Sequence, residues 1–203
     1  MITAVVLAAG ESTRFEGYPK ALLELGGLSL LARVCRSLKA GGVEKVRVVV
    51  GHRAAEVAPA ARALGCEVIE HREYRRGMLS SVRAGTGRLP EEITALVLAP
   101  VDHPLFGSET VALLLRRFHA RGHGIVLPRC GGRRGHPVLF GAELIEELRA
   151  APDSVGARAV VWADPGRVEE VEVTDPGVLI ELDDPQGLEA ARAWLEGRSK
   201  ANP

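Results

Sequence analysis

The sequence predicts an α/β fold: a mostly parallel central sheet with helices on both faces. Three observations carry this. Apolar runs such as Ile2–Ala8 and Ala95–Ala99 are continuous, as expected of strands buried on both sides. Segments with apolar residues at helical spacing, such as Leu30, Leu31, Val34 and Leu38, fall between such runs. The two types alternate as βαβαβαβα from residue 2 to residue 120, the rhythm of strands joined by crossover helices.

Ile2–Ala8 opens the sheet and ends in a glycine-containing loop. Leu30–Ala40 is a helix closed by Gly41-Gly42, and Lys45–Val50 is the next strand. Ala54–Leu64 reads as a helix, Cys66–Glu70 as a strand and Leu79–Thr86 as a short helix. The strand Ala95–Ala99 precedes a helix over Ser108–Ala120, whose start Ser108 and Glu109 mark. Beyond it the rhythm weakens. Ile125–Leu127 and Val138–Phe140 are strands flanking a polar, glycine-rich loop, Arg129–His136. Ala142–Ala150 is a helix, Arg167–Val173 and Val178–Leu182 are strands, and Pro185–Gly197 is a closing amphipathic helix with proline at its start. No repeat, low-complexity stretch or linker divides the chain, so residues 1–197 are expected to form one domain and 198–203 a flexible tail.

Composition narrows the function. Of the 203 residues, 46% are hydrophobic and 26% charged, values of a soluble globular protein. Lys plus Arg equals Asp plus Glu at 26 each, which leaves no basic footprint for duplex binding, and 4% aromatics leave few platforms for stacking bases. Nucleic acid is not an expected partner. No apolar run approaches the ~20 residues that span a bilayer, and no leader pattern opens the chain. Cys35, Cys66 and Cys130 are widely spaced and odd in number, neither a zinc pattern nor a disulfide framework, which suits a reducing cytoplasm. A soluble cytoplasmic protein away from membranes is expected.

Open parallel sheets bind ligands at loops leaving the carboxyl ends of their strands. The first such loop reads Leu7-Ala8-Ala9-Gly10-Glu11-Ser12-Thr13-Arg14, followed by Gly17 and Pro19-Lys20. Small residues let backbone N–H groups cradle an anion. Arg14 adds a bidentate fork and Lys20 a mobile point charge, so the set suits a polyphosphate. The loop has neither GxxxxGK[ST] nor GxGxxG, which argues against a Walker A loop and against a dinucleotide-binding oxidoreductase.

These residues resemble the signature of the MobA-like nucleotidyltransferases, and the resemblance continues along the chain in the family's order. Gly77-Met78-Leu79-Ser80-Ser81-Val82-Arg83-Ala84-Gly85 is similar to its Gly-Met-x-x-Ser-Leu/Val-x-x-Gly segment. Pro100-Val101-Asp102-His103-Pro104 resembles its Gly-Asp-x-Pro strand end, and Arg134-Gly135-His136-Pro137-Val138 its Arg-Gly-His/Asn-Pro segment. Glu181-Leu182-Asp183-Asp184-Pro185 resembles its Asp-Ile-Asp-Thr-Pro. The resemblance implies a glycosyltransferase-A-like, Rossmann-like sheet. It also implies Mg²⁺-dependent transfer of a nucleoside monophosphate from an NTP to an anionic, phosphorylated small-molecule acceptor, with release of pyrophosphate.

Such a transfer requires neutralising developing negative charge and aligning two reactants. A hard divalent cation on one or two carboxylates does both. Arg14, Lys20 and Asp102 are the candidate catalytic residues. Asp102 follows a buried strand and projects at the carboxyl edge, as a metal ligand would; a turn residue before His103-Pro104 is the alternative. The resemblance aligns Glu181 and Asp183 with the family's acidic pair. Asp183 is chosen as second ligand, and Asp183 or Asp184 as an N-cap before Pro185 is the competing role. Nucleotide contacts are expected from Leu7, Ala8, Ala9, Gly10, Glu11, Ser12 and Lys20 and, by the resemblance, from Gly77 and Ser81. His52 is read as an ordinary surface residue.

Ala9 stands where guanylyltransferases of the group usually carry glycine, and its methyl would crowd a purine, which favours CTP over GTP. The resemblance is nearest to the molybdenum-cofactor cytidylyltransferases, which implies molybdopterin as acceptor and a molybdoenzyme among the partners. His103, Arg134 and His136 would meet the acceptor, the guanidinium suiting an anion; a solvated basic loop is the alternative. A sugar or polyol phosphate is the competing acceptor. A non-catalytic nucleotide-binding protein of the same fold is the competing class, against which the intact Arg14, Lys20 and Asp102 argue. The chain departs from this branch in the spacing of Arg14 and Lys20, at Glu16, at Asp184 and at Gly187.

Overall fold

Side chains leave a strand to opposite sides in turn, and along the first strand both sides are buried. Ile2, Ala4, Val6 and Ala8 join one apolar layer; Val5, Leu7 and, just past it, Ala9 join the other. The computed structural model describes the backbone of residues 1–201 and the side chains of residues 1–197. Its elements run β1 (Ile2–Ala8), β2 (Glu24–Leu25), β3 (Leu28–Ser29), α1 (Leu30–Ala40), β4 (Lys45–Val50), α2 (Ala54–Ala63), β5 (Glu67–Glu70), α3 (Met78–Thr86), β6 (Ala95–Pro100) and α4 (Ser108–Arg121). They continue as β7 (Ile125–Cys130), β8 (Arg133–Arg134), β9 (Val138–Gly141), α5 (Ile145–Ala150), α6 (Arg158–Ala163), β10 (Val168–Glu172) and α7 (Pro185–Ala201).

The main sheet has the order β10-β7-β9-β6-β1-β4-β5, with β8 paired to β7. β1 is parallel to β4 and β6, β4 to β5 and β10 to β7, while β9 is antiparallel to both β6 and β7. This is the mostly parallel α/β sheet the sequence predicts. Helices α1, α2, α4 and α7 bury Leu30, Leu38, Val57, Leu114 and Leu188 on one face. Helices α3, α5 and α6 bury Leu79, Val82, Leu148 and Val160 on the other. Each such large aliphatic contributes about 1.5–3 kcal/mol on leaving water. Buried Arg47 holds α3 against the sheet: it pairs with Glu67 at 2.8 Å and donates to the carbonyls of Gly85, Gly87 and Arg88. A guanidinium there meets the unsatisfied carbonyls and negative end of the helix.

The structure corrects the sequence reading at several points. The expected loop Arg129–His136 is partly a hairpin, because β7 extends to Cys130 and pairs with β8 across Gly131 and Gly132. Both glycines have positive φ, as a two-residue hairpin turn with the sheet's twist requires. The hairpin β2–β3 and helix α6 were not anticipated. Cys35 and Cys66, distant in sequence, are buried with their sulfurs 3.7 Å apart. The closing helix extends to Ala201, past the expected Gly197; of the tail expected over 198–203, residues 202 and 203 lie outside the described residues. No helix among the described residues is long and apolar enough to cross a membrane.

Val178–Leu182, expected as a strand, starts instead in a 3₁₀ turn over Pro176–Leu179. Pro176 presets the turn, and Asp175 drives it: one carboxylate oxygen accepts from the Gly177 N–H, the other from the Gly107 N–H and the Thr110 hydroxyl. Gly177 packs so closely that a Cβ there would lie 2.0 Å from the Leu105 carbonyl oxygen. Gly177→Ala should therefore destabilise the fold by about 1–3 kcal/mol, the usual cost of overpacking, seen as a lower urea midpoint at unchanged slope. An unchanged midpoint would show that this crossing tolerates displacement.

Candidate active site

The loop after β1 is wound tightly by its own backbone. Ser12 sits at φ 52° and Glu16 at φ 54°, in the left-handed region; the Ser12 carbonyl accepts from the N–H groups of Phe15 and Gly17. The Ser12 hydroxyl accepts from the Lys20 N–H at 2.9 Å, so the loop's start fixes the residue at its end. The loop borders a cleft of about 380 Å³ lined by Leu7, Ala8, Ala9, Gly10, Ser12, Arg14 and Lys20 on one side. Tyr74, Gly77, Met78 and Ser81 line the opposite wall, and Asp102 and Asp183 stand at the end. Gly10 has nothing within 4 Å of where a Cβ would be, so its backbone is open to an approaching ligand.

Asp102 is held by its backbone. The adjoining Val101 N–H donates to the Leu7 carbonyl, and the Asp102 carbonyl accepts from the Leu182 N–H. That second bond brings the segment after the 3₁₀ turn alongside Asp102, and with it Glu181 and Asp183. Ligand oxygens of Asp102, Glu181 and Asp183 all lie within 4.8 Å of one another. Lys20 Nζ reaches Asp183 at 3.0 Å and Asp102 at 3.4 Å, and Arg14 reaches Asp183 at 3.3 Å. The Lys20 hydrogen bond holds the Asp183 carboxyl below its ordinary range. Glu181 is pushed up, first by desolvation and then by the charges of Asp183 and Asp102. Oδ1 of Asp102 is buried without a hydrogen-bond partner. An all-oxygen donor set with an unspent buried carboxylate oxygen fits a hard divalent cation.

Asp184 resolves the competing capping role. Its carboxylate accepts from the Gly187 N–H at 2.8 Å, the N-cap bond of α7 with Pro185 at the first helical position. Asp183 is thus left to face Lys20.

A second cleft of about 540 Å³ adjoins the first. Leu7, Met78, Pro100 and Asp102 line both, so Asp102 stands in the shared wall, with Asp183 in the first cleft and Glu181 in the second. His103, Arg134 and His136 line the second cleft, as do Arg133, Asp153, Ser154 and Arg158. The His103 and His136 rings lie 4.3 Å apart, each with a buried Nδ1 that has no hydrogen-bond partner. Burial lowers both imidazoles below their ordinary range, His136 to about 3, with His103 a further cause there. Arg134 is not free: Glu170 accepts from its Nε and Nη2 at 2.8 and 2.6 Å.

Of the residues singled out from sequence, Leu7, Ala8, Ala9, Gly10, Ser12, Arg14, Lys20, Gly77, Ser81, Asp102 and Asp183 converge on the first cleft. Glu11 does not line it; its carboxylate pairs with Arg75 at 2.7 Å and ties the loop to the opposite wall. Sequence reasoning missed Tyr74, a lone aromatic whose place at the wall depends on the β5–α3 connection, and passed over Glu181 in favour of Asp183.

A family model described as the MobA-like NTP transferase domain matches residues 4–168. The chain belongs to that family. A bifunctional IPC transferase and DIPP synthase of Rubrobacter xylanophilus is 46% identical over 120 residues, 57% of this chain but 27% of that protein. The chain therefore spans about a quarter of that relative's length. A nicotine blue oxidoreductase of Paenarthrobacter nicotinovorans is 30% identical over 189 residues, covering 90% of this chain and 92% of its own. The crystal structure of Rv0371c from Mycobacterium tuberculosis H37Rv matches with a TM-score of 0.81 at 26% identity, over 95% of this chain and 98% of that one. The same mycobacterial protein has been solved in complex with manganese. Family membership bears out the resemblance to the MobA-like nucleotidyltransferases for the four sequence blocks that lie within residues 4–168, and the solved structure confirms the fold.

The buried His136 has a pH consequence. Its folded pKa, about 3, lies below the ordinary 6.5, so below 6.5 the unfolded chain binds a proton that the folded chain refuses. Stability should fall as pH drops from 6.5 towards 3. Urea unfolding at pH 7 and pH 5 should show this loss, and His136→Phe should reduce it; an equal loss in the variant would contradict the assignment.

Proposed function

We propose that this chain is a divalent-metal-dependent nucleotidyltransferase that moves CMP from CTP onto a phosphorylated acceptor, releasing pyrophosphate. The observation that carries the reading is Asp102 in the wall between two clefts, bridged to Asp183 by Lys20. A nucleoside triphosphate in the first cleft and an acceptor in the second would meet at that wall.

In this reading the backbone N–H groups of the Gly10–Arg14 loop receive the triphosphate, with Arg14 and Lys20 balancing its charge. Asp102 and Asp183 would hold a divalent ion, for which Mg²⁺ is our choice, with Glu181 within reach. When bound, such an ion supplies charge neutralisation on the triphosphate. An acceptor phosphate oxygen forms the new bond to the α-phosphorus in line with the bond that breaks, and pyrophosphate leaves towards Arg14 and Lys20. Ala9, buried and lining the cleft, supports cytosine over guanine, and Ser81 and Gly77, which line the same cleft, would meet the base or ribose.

For the acceptor, the sequence blocks favour molybdopterin, and with it a molybdoenzyme that receives the product. A second reading, a sugar or polyol phosphate, is favoured by the second cleft itself: two neutral imidazoles with unspent nitrogens, Ser154 and Asp153 offer hydrogen bonds to hydroxyl groups. Arg133 and Arg158 are its remaining cations, since Glu170 engages Arg134.

Pyrophosphate release should require CTP, a divalent ion and acceptor, and should stop on chelation. Lys20→Met and Asp102→Asn should each lower the rate by about 100-fold or more, as loss of a transition-state charge does. Unchanged release in both variants would overturn the mechanism. A panel of molybdopterin and sugar phosphates, each with CTP and GTP, decides acceptor and base. Oxidoreductase activity without nucleotide turnover would shift the assignment towards the chemistry named for the Paenarthrobacter relative.

A further inference from the structure

His52 begins the connection after β4 and was read from sequence as an ordinary surface residue. The structure places it across both limbs of the phosphate loop. Its backbone N–H donates to the Ala9 carbonyl at 3.0 Å, beside the first small residues of the loop. Its imidazole Nε2 lies 3.1 Å from the Gly17 carbonyl oxygen at the far limb. A carbonyl oxygen only accepts, so Nε2 carries the proton and donates. Between these two anchors lie Gly10, Ser12 and Arg14. The ring's other neighbour is Tyr74, edge-on with centroids 6.2 Å apart, and Tyr74 lines the opposite wall of the nucleotide cleft. Tyr74 sits there because the residue before His52 is glycine: a Cβ on Gly51 would come within 2.7 Å of the Tyr74 side chain. Arg53 adds a longer contact to the same Gly17 carbonyl at 3.4 Å.

We propose that His52 is a positioning residue for the triphosphate. It staples the two limbs of the loop at the curvature that aims the Gly10–Arg14 amides into the cleft, and it spaces that loop from the Tyr74 wall. This rests on the nucleotidyltransferase reading. A loop that slackens at its far limb loses its grip on the phosphates that only a triphosphate carries, while the base and ribose contacts proposed for Gly77, Ser81 and Ala9 are kept, since the backbone N–H of residue 52 still holds the Ala9 carbonyl. The effect of removing the imidazole is therefore selective between nucleotides that share a base.

The test is a calorimetric titration of the wild-type chain, His52→Ala and His52→Gln with CTP and with CMP in Mg²⁺, with GTP in parallel and melting temperatures recorded. His52→Ala should lose about five- to tenfold in CTP affinity, the value of one hydrogen bond, with CMP affinity unchanged. His52→Gln, whose amide N–H reaches the same carbonyl, should recover the CTP affinity; this also judges the role if the alanine variant folds poorly. Equal CTP affinity in His52→Ala and wild type overturns the proposal, as does a loss shared equally by CTP and CMP or left unrescued by glutamine. If the wild-type chain binds neither CTP nor GTP, the nucleotide reading itself falls, and this role falls with it. Wild-type binding with an indifferent His52→Ala removes the role of His52 alone.

Discussion

Three carboxylates drawn within 4.8 Å of one another repel, and the rest of the site is arranged around that repulsion. Two unit charges at such a distance interact by about 3 kcal/mol at an effective dielectric of 20, a large part of a domain's net stability. Lys20 offsets it by lying between Asp102 and Asp183, and the like charges around Glu181 help push its carboxyl upward. A site that concentrates negative charge beside two cations, with a buried oxygen of Asp102 still unspent, suits a further cation, and the proposed function sets a polyphosphate beside it.

Backbone hydrogen bonds set the carboxylates side by side, and Lys20 and Arg14 offset the repulsion that results. Asp102 is stitched to β1 through the Val101 N–H and to residue 182 through its own carbonyl. The approach of the second segment depends on Asp175, which winds Pro176–Leu179 into a turn and ties it to the start of α4. Gly177 allows the contact with Leu105. Asp184 caps α7 and so divides the work of two adjacent aspartates, one satisfying a helix terminus and the other facing Lys20.

The opposite limb of the site follows the same pattern. Left-handed Ser12 and Glu16, the Ser12 hydroxyl on the Lys20 N–H and the His52 bonds make a loop whose conformation is fixed by its own hydrogen bonds. Preorganised donors of this kind need no reorganisation when charge develops. The Glu11–Arg75 pair joins loop to wall, but both groups are largely exposed and such a pair contributes little to stability.

Legibility in the sequence tracked how local the cause was. The continuous apolar runs of β1 and β6, the helical spacing of α1 and the Gly10, Arg14 and Lys20 loop each carry their meaning within a short window, because burial on both faces and anion binding by adjacent amides are local demands. The mostly parallel sheet, the helices of its first half and the place of this loop at the carboxyl end of β1 were therefore legible in the sequence alone. The 3₁₀ turn after Asp175, the engagement of Arg134 by Glu170, the Cys35–Cys66 contact and the approach of Glu181 to Asp102 were decided only by tertiary structure. In each, the deciding partner lies far away along the chain: Gly107 and Thr110 for Asp175, Glu170 for Arg134, Asp102 for Glu181. His52 belongs to the same class. A histidine after a buried strand is unremarkable by itself, and it becomes a support for the phosphate loop only because parallel pairing of β1 with β4 sets the two strand ends side by side.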